Sequence, residues 1–193
     1  MKAIMWVIRL EIGIWKSLFL YVARRTAGTR PGDVAFAYNG HLFLVLFGFI
    51  FASLCELPLL HVIIPWEKVR LAADVLSIWG LFWMLGYAAS LKVFPHLLTP
   101  EALRVRHAAN LDLAVPWDAI ESISSKRRDT EKDHFRLVGG VASVALLKET
   151  NIDVVLRRPI TTPKGEATEL RFHVDDPKAL VTAARARLVT RAG

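Results

Sequence analysis

Residues 71–107, LAADVLSIWGLFWMLGYAASLKVFPHLLTPEALRVRH, hold the transition that decides the fold. The first part contains an uncharged apolar run of 17 residues, Val75 to Leu91, extendable toward Leu71 and Phe94. The last part alternates, with Leu103, Val105 and His107 on one side and Arg104 and Arg106 on the other. A long apolar run is the pattern of a membrane helix, and alternation with period two is the pattern of a half-buried strand. The change falls at Phe94 to His96, and the charges divide there too. Residues 1–95 carry nine Lys/Arg and five Asp/Glu, whereas residues 96–193 carry sixteen and thirteen. The chain is 53% apolar with a formal net charge of +7. That composition excludes a disordered chain, a collagen-like chain and a disulfide scaffold, since Cys55 is the one cysteine. The uneven distribution reads as a membrane part joined to a soluble part.

Upstream, residues 42–64 form a second apolar run, interrupted by Glu56 alone. As a helix its 23 residues would rise about 34 Å, enough for a hydrocarbon core of about 30 Å. The polar stretch PWEKVR, residues 65–70, joins the two runs, with Trp66 suited to the membrane interface. Two spans with so short a connection predict an antiparallel transmembrane hairpin over residues 41–95. Six basic residues precede it (Lys2, Arg9, Lys16, Arg24, Arg25 and Arg30), while the connection holds only Lys68 and Arg70. The positive-inside rule then predicts a multi-pass protein of the cell (inner or plasma) membrane with both termini cytoplasmic.

Residues 1–40 divide into a helix and a linker. Lys2, Arg9 and Lys16 are spaced by seven, so they share one narrow stripe of a helix over residues 3–25. Ile8, Ile12, Trp15 and Phe19 fill much of the rest. This is the pattern of an amphipathic helix in the membrane interface, with Lys2, Arg9, Lys16, Arg24 and Arg25 toward lipid headgroups. Glu11 lies opposite the stripe; the alternatives are a helix packed on the rest of the protein, or one that spans and places the N-terminus outside. Arg9, Glu11 and Lys16 also interrupt any signal-peptide core, so the segment reads as retained. Residues 24–40, rich in helix breakers, read as a linker.

Residues 96–193 read as a cytosolic α+β domain of six or seven short strands and a terminal helix. Leu103 to His107 and Leu111 to Trp117 alternate around a turn at Ala108 to Asn110. A third strand is expected over residues 119–126 and a charged loop over 126–134, where Lys126, Arg127 and Arg128 meet Asp129, Glu131 and Asp133. Further strands follow near 143–148, 152–157 and 170–174, with a turn at 161–165. Asp176 then serves as an N-cap and Pro177 as a first helical residue, before a stripe of Leu180, Ala184 and Leu188. Such a set predicts a strongly bent sheet or small barrel capped by the C-terminal helix.

The stretch HLLTPEALRVRHAANLDLAVPWDAIESI, residues 96–123, resembles the bacterial pleckstrin-homology-like domain family in its membrane-anchored form. Thr99, Leu103, Arg104 and Arg106 match a T-x-x-x-L-R-x-R hairpin. Val115, Pro116, Trp117, Ile120 and Ile123 match the turn into the next strand. With the order of elements, the likeness covers about half the chain. It implies a cytosolic seven-stranded sheet with a helical cap and implies no enzyme. The basic arrangement that binds phosphoinositides in eukaryotic relatives is not evident, so that specificity is not implied.

Chemistry-bearing residues are few. Glu56 inside a span is a functional candidate by default, and Pro58 and His61 follow it closely. Glu56 and His61 could pair, or Glu56 could bind a proton; the alternative is a protonated Glu56 bonded near Ser77 or Trp79 for packing alone. Gly48, Ala52 and Glu56 share a face, and Gly86 with Ser90 forms a small-xxx-small pair suited to packing within the hairpin or in a homodimer. No HExxH, GxSxG, P-loop or GxGxxG is present, so neither an enzyme, a metal nor a cofactor is expected. The basic residues form no recognition helix, and no nucleic-acid partner is expected. The expectation is a membrane-anchored interaction or scaffold module contacting anionic lipid and a membrane or cytosolic protein. The alternative is a subunit of a small-solute or proton-linked assembly centred on Glu56 and His61.

Overall fold

The computed structural model describes residues 2–130 and 134–192, with side chains described for 11–40, 42–130 and 135–189. Three long helices precede the domain: α1 (Lys2–Val22), α2 (Gly40–Ile63) and α3 (Glu67–Val93). Two of them, over Leu42–Ile63 and Glu67–Val93, are long and apolar enough to cross a membrane. They form the expected antiparallel pair, with the Lys92 amine 4.0 Å above the Phe43 ring at one end and His61 bonded to Asp74 near the other. Pro58 lies inside α2, which remains one helical element.

Helix α1 packs lengthwise on α3, and parallel to it, rather than across the base of the hairpin. Ile14 meets Gly86, Trp15 lies edge-on to Trp79 at 5.8 Å, and Tyr21 lies beside Lys92. The physical reason is Gly86. A Cβ there would stand 2.4 Å from Ile14 Cγ2, so only glycine lets the two backbones come this close. The small face of α3 therefore receives α1, while Ser90 donates to the Tyr87 carbonyl at 2.7 Å. Ser17, fully buried, donates to the Gly13 carbonyl, and Gly13 itself abuts Ala109 of the domain.

The stretch over residues 24–40 is not a free linker. It contains strand β1 (Val34–Phe36), which pairs antiparallel with β2 (His96–Leu98). Arg106 Nη1 donates to the Ala27 carbonyl at 2.8 Å, and Arg187 Nη2 to that of Gly32 at 3.0 Å. The domain thus begins before the α2–α3 hairpin in sequence and resumes after it.

From residue 96 the alternation at 103–107 and 111–117 corresponds to two strands, whereas the runs expected near 143–148, 152–157 and 170–174 fall on strands with other bounds. β2, β3 (Ala102–His107) and β4 (Leu111–Pro116) join β1 in a four-stranded sheet of order β1-β2-β3-β4. A 3-10 turn (Trp117–Ala119) leads to β5 (Ile120–Asp129), β6 (His134–Val138), β7 (Val141–Ala145), β8 (Glu149–Thr162) and β9 (Gly165–Phe172). These make a five-stranded sheet of order β5-β8-β9-β7-β6, in which β7 and β9 are parallel. The two sheets share one core: Leu103, Val105 and Val115 from the first, Ile152 and Phe172 from the second. Helix α4 (Pro177–Ala192) adds Leu180 and Ala184, with Asp176 Oδ1 accepting from the Ala179 N–H as the expected cap. Nine strands are seen among the described residues, where six or seven were expected. They form two open sheets; no sheet closes into a barrel among the described residues. The additional strands β1, β2 and β6 are short, with three, three and five residues, too few for a period to stand out.

Candidate functional site

Most of the residues that carry the family likeness are held inside the fold, though Pro116 is exposed and Arg104 part-exposed. Thr99 Oγ1 accepts from the Ala102 N–H at 3.0 Å and closes the turn before β3. Trp117 is buried and its Nε1 donates to the Thr99 carbonyl at 3.0 Å. Leu103, Val115, Ile120 and Ile123 are core. Asp112 faces both Arg104 and Arg106, pairing with the former and lying 3.3 Å from the Nε of the latter. Burial pushes the Arg106 pKa down, and Asp112 opposes that shift. These arginines tie strands and linker together and offer no open cationic surface.

Beneath them lies a buried polar centre. His96 Nε2 donates to the His173 carbonyl at 2.8 Å, and its Nδ1 accepts from the Arg106 N–H at 3.0 Å. A carbonyl can only accept and a backbone N–H can only donate, so the neutral Nε2–H tautomer is required. The ring stacks on Tyr38 at 4.6 Å and meets the Phe172 edge at 5.0 Å. Burial lowers the His96 pKa to about 3. Tyr38 in turn accepts from the Ala108 N–H at 2.8 Å, and its burial pushes its pKa up. Since Tyr38 stands two residues before α2, this centre fixes the hairpin to the domain. Asp175 completes the joint: both its carboxylate oxygens accept from the Gly40 N–H, at 3.1 Å each, at the start of α2.

The expected lipid-facing cations have different places. Lys16 is exposed on α1, and Arg24 and Arg25 follow the end of that helix, also exposed. The side chains of Lys2 and Arg9 lie outside the described residues, as do that of His41 and the whole of Glu131 and Asp133. Glu11 accepts from Trp15 Nε1 at 3.2 Å. Residues 126–129 continue strand β5 rather than forming a loop, and partners across β8 neutralise them: Arg127 pairs with Glu149 at 2.7 Å and Arg128 with Asp153 at 3.0 Å.

Inside the hairpin, Glu56 and His61 are not a pair. His61 Nδ1 lies 2.7 Å from Asp74 Oδ2 instead, and Asp74 Oδ1 is buried with no hydrogen bond among the described residues. Glu56 is exposed and borders a shallow groove with Ser53, Ser77 and Trp79, making no hydrogen bond among the described residues. Asp74 is the residue that sequence reasoning missed. It stands just outside the uncharged run, yet positions 61 and 74 are equidistant from the middle of the connection. An antiparallel hairpin brings such positions together.

Among the described residues, no three His, Cys, Asp or Glu side chains come together as a metal site. A larger grouping of cations and apolar walls lies at the adjoining ends of α1 and α3. Arg24, Arg25, Lys92 and Tyr21 border a pocket of about 490 Å³ there. No protein-family model, no curated protein and no solved structure matches this chain.

Proposed function

We propose that the chain is a membrane-anchored interaction module whose cytosolic, pleckstrin-homology-like domain is carried rigidly on its membrane helices. One observation carries this reading: the domain is bolted to the helices, not tethered to them. The Asp175 carboxylate on the Gly40 N–H, the Tyr38 hydroxyl on Ala108 and the close approach of Gly13 to Ala109 join the two parts from three sides. A domain held this way keeps one orientation toward the bilayer. It meets membrane partners at high effective concentration without ordering a linker. The partners in this reading are anionic lipids of the cytoplasmic leaflet and a membrane or cytosolic protein, with no nucleic acid and no chemical step.

The excess of basic residues before α2 supports a domain on the cytoplasmic side of a bacterial inner or plasma membrane in this reading. Helix α1 runs parallel to α3 but already meets the domain at Gly13, midway along its length, so in this reading only its N-terminal half follows α3 toward the bilayer. Crosslinking in native membranes with mass-spectrometric identification tests the function. Reproducible neighbours crosslinked through domain lysines support an interaction module; crosslinks confined to the chain itself overturn it.

A second reading is favoured by the His61–Asp74 pair, a proton-linked or small-solute role within a larger assembly. An aspartate oxygen left unpaired at membrane depth is costly and suits a transient proton or cation. Asp74→Asn protein that assembles normally but abolishes a proton flux measured in vesicles would support it. Unchanged flux would remove it.

A further inference from the structure

The pocket bordered by Arg24, Arg25 and Lys92 adjoins a second cavity. Tyr21 and Lys92 border both. The second cavity, of about 190 Å³, lies between α1, α2 and α3, with Leu18, Phe43, Leu46 and Leu85 among its walls and Ala88 and Ala89 along α3. It extends down α2 from Phe43 to Ile50, seven residues and so about 10 Å. A cationic mouth thus adjoins an apolar crevice along the helix direction.

The mouth gathers cations that have no carboxylate partner among the described residues. Across the domain, arginines face carboxylates: Arg104 and Arg106 face Asp112, Arg127 faces Glu149, Arg128 faces Asp153 and Arg158 faces Asp118. Arg24 and Arg25 have no such partner among the described residues. The way α1 ends puts them side by side. The Arg25 N–H donates to the Leu20 carbonyl at 2.9 Å and that of Arg24 to Tyr21 at 3.0 Å, with Arg24 at φ 54°. A positive φ at a bulky non-glycine residue is uncommon. Lys92 is held at the lip by the Phe43 ring at 4.0 Å and the Tyr21 ring at 5.8 Å. In the crevice, the two alanines of α3 leave the space that larger side chains would fill.

We propose that this site holds one anionic phospholipid, its headgroup phosphate on Arg24, Arg25 and Lys92 and one acyl chain in the crevice between Phe43, Leu46 and Leu85. The proposal rests on the reading of α2 and α3 as membrane spans, which sets the mouth at headgroup depth. The phosphate matches guanidinium donors, and the chain matches the only kind of wall the crevice has. A free phosphate would use the mouth alone and leave the crevice empty.

The test uses the full chain in nanodiscs holding equal amounts of phosphatidylglycerol and phosphatidylcholine, released into native mass spectrometry. The expected result is one retained phosphatidylglycerol, favoured over phosphatidylcholine by roughly 100-fold, about fivefold for each of the three cations. Arg24→Gln/Arg25→Gln should lower that preference by about 25-fold, fivefold per cation, the attraction of one basic residue for an anionic leaflet. Ala89→Leu, which fills the crevice, should abolish retention of either lipid; if it fails to insert, Leu46→Phe serves the same end. Equal retention of both lipids, or a preference unchanged in the arginine variant, overturns the proposal. So does displacement of the bound lipid by 10 mM inorganic phosphate, which would mark a phosphate site. A chain that stays out of nanodiscs altogether sinks the membrane reading, whereas insertion without headgroup preference sinks the lipid site alone.

Discussion

Protonation of His96 should unfasten the domain. The ring is fully buried, donates to the His173 carbonyl and accepts from the Arg106 N–H. Protonation would turn its Nδ1 from acceptor to donor and set it against a backbone N–H. Burial lowers its pKa from 6.5 to about 3; the bond to His173 works the other way, while His107, His173 and Arg106 push it lower. The native pKa thus lies below the unfolded one, so the unfolded chain binds the proton first. The stability at stake is complete above about pH 6.5 and drains as the pH falls toward 3. At about 1.4 kcal/mol per pH unit, going from pH 7.5 to pH 5 should remove about 2 kcal/mol. For a domain of this size that lowers the melting temperature by roughly 10 °C. The assay is thermal unfolding of the whole chain in nanodiscs, beside His96→Gln. Its amide has an oxygen for the Arg106 N–H and a nitrogen for the His173 carbonyl, and it cannot titrate. The variant should melt lower at pH 7.5, from imperfect packing, yet lose about 10 °C less between pH 7.5 and 5. Equal pH dependence in the two proteins, or a His96 ring resonance titrating near pH 6, would refute the reasoning.

Gly86→Ala should loosen α1 from α3 by about 1–3 kcal/mol, the usual penalty of overpacking, because its Cβ collides with Ile14. Ile14→Ala in that background should recover part of the loss, read as restored protection of α1 amides in hydrogen exchange. Asp175→Ala removes the acceptor at the start of α2 and should cost about 1 kcal/mol, measured as faster exchange of the Gly40 amide with the domain otherwise intact. Trp117→Phe leaves the Thr99 carbonyl without its indole donor; a loss of about 1–3 kcal/mol in thermal unfolding is expected, with secondary structure unchanged by circular dichroism. A thiol-reactive probe confined to the periplasmic side should leave a cysteine placed at position 2 in a Cys55→Ala background unlabelled, because only the N-terminal half of α1 follows α3 toward the bilayer; labelling from that side would show that α1 crosses with α3.

The elements with long periods were legible from residue types alone. Two long apolar runs, the first broken only by Glu56, gave α2 and α3, and four-residue spacing of Leu180, Ala184 and Leu188 behind Asp176 gave α4. Strands β3 and β4 were legible because alternation there is strict and the turn between them short. Strand β1 was not, since Val34 to Phe36 is too short to show a period and owes its pairing to β2, sixty residues on. The charged stretch after Ser125 looked like a loop because its charges balance locally. In the structure they balance across β8, where Glu149 and Asp153 sit in register with β5. Local neutrality and cross-strand neutrality leave the same trace in a sequence.

The site was legible only in part, and for a reason that bears on how such chains are read. Charged residues of α1 drew attention to a lipid-facing stripe, yet the contact that orients α1 is made by its least conspicuous residues. Ile14 and Gly13 seat it, against Gly86 and Ala109, and none of the four carries a charge. Once α1 stands along α3, Arg24 and Arg25 come level with Lys92, and a crevice remains between three helices where two alone could enclose none. The same logic applies to the family-like residues. Thr99, Arg106 and Trp117 bind backbone carbonyls and amides of this chain, so a motif built from them reports a turn and a joint and carries no information about a ligand. Ligand chemistry in this fold is to be sought among the side chains that the fold leaves without a partner among the described residues, Arg24 and Arg25 among them.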